Sequence, residues 1–117
     1  MSHAPDTILH ITTDEGWAAA QAAGELVTPS LAEEGFIHCS TWEQVAATAN
    51  RIFRGSGDLL LLELEVDLIA PELKWERATD VGDEFPHIYG SLNLDAVAGT
   101  FALPEGPDGY AAPAPRG

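Results

Sequence analysis

The chain has 117 residues, 45% hydrophobic and 21% charged, the proportions of one ordinary globular domain with a single core. Its charge is less ordinary: 5 Lys+Arg against 19 Asp+Glu give a net −14 at pH 7, a field that excludes nucleic-acid binding through a basic face. With the single cysteine Cys39, no signal-peptide pattern and no apolar run long enough for a bilayer, a cytoplasmic protein without a disulfide or membrane attachment is expected.

Residues 1–6 are polar and expected to fray. Residues 7–11 read as a short buried strand carrying His10. Thr12 then reads as a helix N-cap, with Glu15 three residues on completing a capping box. Gly24 is placed to end that helix in the left-handed conformation. Residues 25–28 suit a short strand, and residues 29–34 a turn or single helical turn opened by Pro29. Gly35 turns the backbone into a strand over residues 36–39. Thr41 and Gln44 form a second capping box, heading a helix to about Phe53 with Val45, Ala49 and Ile52 at helical spacing.

After a Gly55-Ser56-Gly57 break, residues 59–66 run through four leucines and then alternate with Glu63 and Glu65, as a central strand emerging towards solvent would. Pro71 interrupts, and residues 73–77 form a strand with Trp75 and Glu76 on opposite faces. Residues 79–84 read as a mobile acidic loop, and Phe85-Pro86 forces an extended approach into a strand over residues 88–91. Residues 94–98 suit a bend or helical turn, and residues 99–103 a last strand. Proline, glycine and alanine dominate residues 104–117, which reads as a flexible tail. The sum is one α+β domain over residues 7–103, with mixed, mostly antiparallel sheets and two helices in the first half.

Three histidines inside apolar stretches are the sharpest chemical signal: His10, His38 and His87. On a strand His38 shares a face with Phe36 and Ser40, and a histidine beside a hydroxyl is the minimum for general-base activation. The plainer alternative is a packed histidine, with Ser40 capping the following helix. His87 and Tyr89 share a face two residues apart, and His10 with Thr12 repeats the arrangement on the first strand. Such pairs on three strands predict one pocket, lined by all three imidazoles, for a small-molecule ligand or substrate. Glu76 is the best candidate carboxylate, to orient an imidazole or hold a ribose hydroxyl; the alternative is an exposed pair with Lys74 or Arg77. His10, His38, Cys39 and His87 are all conceivable zinc ligands, but their spacing is not that of a metal site, and none is expected.

Leu9-His10-Ile11-Thr12, Glu34-Gly35-Phe36-Ile37-His38-Cys39-Ser40 and Phe85-Pro86-His87-Ile88-Tyr89-Gly90 together resemble a bacterial domain-of-unknown-function family, number 952. That family's fold looks like that of ADP-ribosyltransferases, including RNA 2′-phosphotransferases. The resemblance implies an NAD or ADP-ribose-like ligand in a cleft between two small sheets, and a transferase-like reaction on a nucleotide or ADP-ribosylated small molecule. It places His10 and Thr12 on ribose hydroxyls and likens the strand through His38 and Ser40 to the second histidine strand of the phosphotransferases; Phe36 and Tyr89 are pocket wall by their strand faces alone. His38 and Ser40, its hydrogen-bond partner, are catalytic candidates with His87 and Glu76, the last two on their own chemistry, since the resemblance aligns no catalytic glutamate with Glu76. Ile11 stands where the transferases carry a glycine, and their phosphate-gripping arginines have no counterpart here. A ligand-binding or regulatory module on the same scaffold is the alternative.

Overall fold

The computed structural model describes residues 5–113, so the expectations for residues 1–4 and 114–117 lie outside the described residues. In chain order the elements are β1 (Thr7–Thr12), α1 (Asp14–Ala23), β2 (Glu25–Leu26), α2 (Pro29–Glu34), β3 (Ile37–His38), α3 (Val45–Ile52), β4 (Leu59–Glu65), β5 (Glu72–Ala78), β6 (Asp83–Tyr89), β7 (Leu92–Asn93) and β8 (Val97–Leu103). Short 3-10 turns at Val66–Leu68 and Leu94–Ala96 complete the path. The strands form three antiparallel sheets, ordered β1-β4-β8, β2-β7 and β3-β6-β5. The domain is α+β.

The leucine run of β4 explains the larger sheet. β4 is its central strand, and successive leucines serve opposite faces. Leu61, with Leu9 of β1, packs against Val45 and Ala49 of α3. Leu62 and Leu64, with Ile8, pack against Ile37, Ile88 and Leu92. A strand buried on both faces reads as continuous apolar sequence rather than alternation. Glu63 is accordingly buried, and the chain emerges only at Glu65.

The smaller β3-β6-β5 sheet is buried on one face. Ile37, Ile88, Leu73 and Trp75 turn inwards to the core. In register on the other face stand His38 opposite His87, and His87 opposite Lys74. Pro86 lies in the central strand β6; the Cys39 amide donates to its carbonyl at 3.0 Å, and the reciprocal bond is missing because proline has no N–H.

Four local expectations change. The N-cap of α1 is Thr13, which accepts from the Gly16 amide at 3.0 Å, while Thr12 is still strand. Either threonine satisfies a capping pattern, and β1 runs one residue longer because Thr12 pairs with Leu60. Residues 29–34 make a third helix, capped by Thr28 and ended by Gly35 at φ 91°. The acidic segment 79–84 is mostly absorbed by a β5–β6 hairpin, in which Asp83 pairs with Ala78 and Glu84 with Arg77.

The start of the expected tail is also docked. Glu105 accepts from the Gly55 and Gly57 amides at 2.5 and 2.8 Å. Asn50 of α3 clasps the Tyr110 backbone, donating to its carbonyl and accepting from its amide at 2.8 Å each. Tyr110 is 4% exposed, its hydroxyl 2.6 Å from the Gly57 carbonyl. Glycine at 109 is required here, since a Cβ would collide with the Asn50 side chain.

Candidate functional site

The stretch after α2 crosses from one sheet to the other, and this brings the histidines together. Gly35 ends α2 and redirects the chain, Ile37 and His38 pair with β6, and Ser40 then pairs with Leu9 of β1. The Leu9–Ser40 bridge has both backbone bonds, at 2.7 and 2.8 Å. His38 therefore sits where the small sheet hands over to the large one. From β1, His10 donates through Nδ1 to the His38 carbonyl at 2.7 Å. A carbonyl only accepts, so Nδ1 carries the proton and Nε2 is left as an acceptor.

A cavity of about 1020 Å³ opens at this junction, and His10, His38 and His87 all line it. Thr12, Phe36 and Ser40 share the wall. His10 is 8% exposed, and burial holds its pKa below the ordinary imidazole value, only partly opposed by the bond to the His38 carbonyl. Among the described residues no buried side-chain nitrogen or oxygen lacks a partner, so the unbonded Nε2 of His10 opens on the cavity.

His87 is held on three sides. Its Nδ1 lies 2.8 Å from Glu76 Oε1, its ring stacks on Phe36 at 4.1 Å and 19°, and the His38 ring meets it edge-on at 5.2 Å. Glu76 comes from the neighbouring strand β5 and also accepts from the Tyr89 hydroxyl at 2.5 Å. The Tyr89 bond, then the His87 bond, holds the Glu76 carboxyl below its ordinary range. Reciprocally, Glu76 pushes the Tyr89 phenol up to about 12, and Lys74 lies over the Tyr89 ring at 4.8 Å. An ionised Glu76 facing Nδ1 selects the tautomer with the proton there, which leaves the His87 Nε2 lone pair free.

The candidates divide in two. His10, Thr12, Phe36, His38, Ser40 and His87 line the cavity. Glu76 and Tyr89 stand behind that wall, joined to it through His87 and Phe36. Ser40 is not the partner of His38: it has left β3, is buried, and its hydroxyl donates to Thr48 Oγ1 at 3.5 Å. His38 instead meets Glu34 through Nε2 at 2.9 Å, at an exposed position. Thr12 lies under the first turn of α1, where a Cβ on Gly16 would strike its hydroxyl.

Glu34 and Arg51 escaped the sequence analysis. Glu34 ends a helix and His38 sits in a strand, so no single periodicity links them. Arg51 lines the cavity and pairs with Asp80 at 3.7 Å, across elements nearly thirty residues apart. Cys39 faces the core, and burial pushes its thiol far up, away from thiolate chemistry. Among the described residues no three His, Cys, Asp or Glu side chains gather as metal ligands, and no helix is long and apolar enough to cross a membrane.

Comparison with known proteins agrees with this architecture. The crystal structure of protein CC0527 from Caulobacter crescentus matches with a TM-score of 0.80 at 35% identity, covering 89% of this chain and 91% of that one. The solution NMR structure of the same protein gives 0.76 at 34% identity, with 91% of each chain covered. No curated protein matches. The model of a family described as a protein of unknown function, DUF952, matches residues 11–100, a span that includes Phe36, His38, Glu76, His87 and Tyr89 and starts one residue after His10. Two three-stranded sheets joined at a histidine-bearing crossover, a match over most of the length and a solved relative of the same shape lead to one statement: the chain belongs to the DUF952 family.

Proposed function

We propose that the cavity binds a small, largely uncharged molecule bearing hydroxyl groups, of nucleoside type, and that His87 acts there as a general base oriented by Glu76. The observation that carries this reading is the Glu76–His87 pair: a carboxylate 2.8 Å from Nδ1, behind an imidazole that is stacked on Phe36 and lines the cavity. Such a pair takes a proton from a ligand hydroxyl onto Nε2, and Glu76 stabilises the resulting imidazolium. The Nε2 of His10 accepts a second hydroxyl, because burial keeps that ring neutral. His38 closes the open side. The activated hydroxyl oxygen attacks the electrophilic centre of a group-donor substrate; the new bond to oxygen forms as the bond to the donor's leaving group breaks, and the His87 imidazolium returns the proton to that leaving group.

The likeness expected between the fold of this family and that of ADP-ribosyltransferases supports the nucleoside part of this reading. The lining argues against a polyphosphate: among the described residues Arg51 is its one lysine or arginine, already paired with Asp80, beside Glu25 and Glu34. NAD and ADP-ribose therefore fit less well than an uncharged nucleoside. Titration of isotope-labelled protein with adenosine, ADP-ribose and NAD tests the reading through the imidazole NMR signals. Adenosine is expected to shift His10 and His87 more than either pyrophosphate does. Signals unmoved by all three at millimolar concentration end it.

Ligand sensing without turnover is the second reading, favoured by the hydroxyl of Ser40 being turned to Thr48 and the thiol of Cys39 being buried, away from the imidazoles. His87→Ala separates the two: a base is needed only for turnover, whereas a sensor loses affinity in proportion to the lost contact.

A further inference from the structure

The imidazoles occupy only part of the cavity. The rest of its wall comes from one side of α1, from β2 and the residues after it, and from the last turn of α3. Its side chains there include Ala19, Ala23, Leu26, Val27, Ile52 and Phe53. Val27 and Ile52 are 55% and 57% exposed, the two most exposed large apolar side chains among the described residues, and both belong to this wall. The volume, about 1020 Å³, is at the upper end of clefts that take a drug-sized ligand.

We infer that this wall is a second subsite, for an uncharged aryl or acyl body attached to the hydroxyl-bearing head, so that the full ligand is amphipathic. The inference rests on the head being bound at the imidazoles, as proposed above. Three observations carry it further. The apolar wall is continuous with the imidazole wall in one cavity, so one molecule reaches both. The alanines of α1 leave open the space that larger side chains would fill. The electrostatics exclude an anionic body such as a free fatty acid: Glu25, Glu34 and Asp80 line the cavity, Arg51 is held by Asp80, and the chain carries −14. An uncharged ring or chain meets no such barrier and gains from leaving water.

The test uses three neutral probes and two variants of the full chain. The probes are N-phenyl-1-naphthylamine, whose fluorescence rises in apolar sites, adenosine, and 5′-O-benzoyladenosine. Ala19→Trp fills the subsite from an exposed helix position, and Ile52→Ser makes the opposite wall polar without removing a core residue. The benzoyl nucleoside is expected to bind about tenfold more tightly than adenosine, as burial of a ring implies. Both variants are expected to abolish that advantage and the naphthylamine signal, while adenosine binding is unchanged.

Equal affinities for the two nucleosides, with a naphthylamine signal indifferent to both variants, overturn the subsite and leave the nucleoside reading in place. A naphthylamine signal that both variants abolish, with neither nucleoside shifting His10 or His87, supports the apolar subsite and overturns the nucleoside head. Light scattering covers the remaining occupant. A dimer that Ile52→Ser converts to monomers, with no naphthylamine binding by the wild type, overturns the inference and gives the wall to a second copy of the chain.

Discussion

The two three-stranded sheets of this domain use the same strand chemistry to opposite ends. The β1-β4-β8 sheet is covered on both sides, so its central residues are leucines and their packing dominates stability. The β3-β6-β5 sheet is covered on one side and carries two imidazoles, a carboxylate, a phenol and an ammonium on the other. Stability and chemistry are thus placed on different surfaces, and the crossover through residues 37–40 links them at a single point. His10 is the exception that tests the rule. It belongs to the buried sheet, yet its ring reaches over to the carbonyl of His38.

Substitutions on the two sheets should therefore differ sharply. Leu61→Ala, a deletion in the doubly covered strand, is expected to cost about 2–5 kcal/mol in urea unfolding. His38→Ala, at a ring 54% exposed on the other sheet, should stay within about 0.5 kcal/mol. Equal losses from the two would erase the distinction.

The clasp at the end of α3 comes next in size. Asn50→Ala removes both bonds to the Tyr110 backbone in a partly buried place, and is expected to cost about 1–3 kcal/mol. The same change should raise hydrogen exchange at Tyr110 while leaving β4 protected.

A smaller effect separates His10 from ordinary imidazoles. Burial depresses its native pKa, so the unfolded chain takes up the proton first. The stability tied to the neutral ring is complete above the ordinary value of about 6.5 and is lost as pH falls below it, until the lower native value has been passed. Stability of the wild type should thus decline below about pH 6.5, and His10→Gln should flatten that part of the curve. A variant with the wild-type slope would show that another group governs it.

The smallest effect isolates Glu76. Replacing its charge in Glu76→Gln should let the Tyr89 phenol, raised to about 12, fall back towards the ordinary value of about 10. Ultraviolet titration of the two phenols reads this directly, since Tyr110, in its separate clasp, should not move.

Much of the scaffold was legible from local rules. The Thr41–Gln44 box is reciprocal, with Gln44 N bonded to Thr41 Oγ1 at 3.2 Å and Thr41 N to Gln44 Oε1 at 3.0 Å. Gly24 and Gly35 end their helices in the left-handed region. These features depend on neighbours within four residues, which sequence displays. Tyr110 was illegible for the converse reason. Its surroundings are rich in proline, glycine and alanine, and the partner that orders it, Asn50, stands sixty residues away. The replacement of Ser40 by Glu34 as partner of His38 has a similar origin: the strand ends at His38, and the period of two that would have aligned Ser40 ends with it.

By itself the sequence determined which groups are available: three imidazoles in apolar strands, one candidate carboxylate on β5, only five lysines and arginines, and a leucine strand to build around. Only the tertiary structure decided which of them meet. His87 gains Glu76 because β5 and β6 pair in one register, and His10 gains the His38 carbonyl because a bridge between Leu9 and Ser40 ties two sheets together. Backbone pairing between distant segments sets those distances, and no local propensity specifies it.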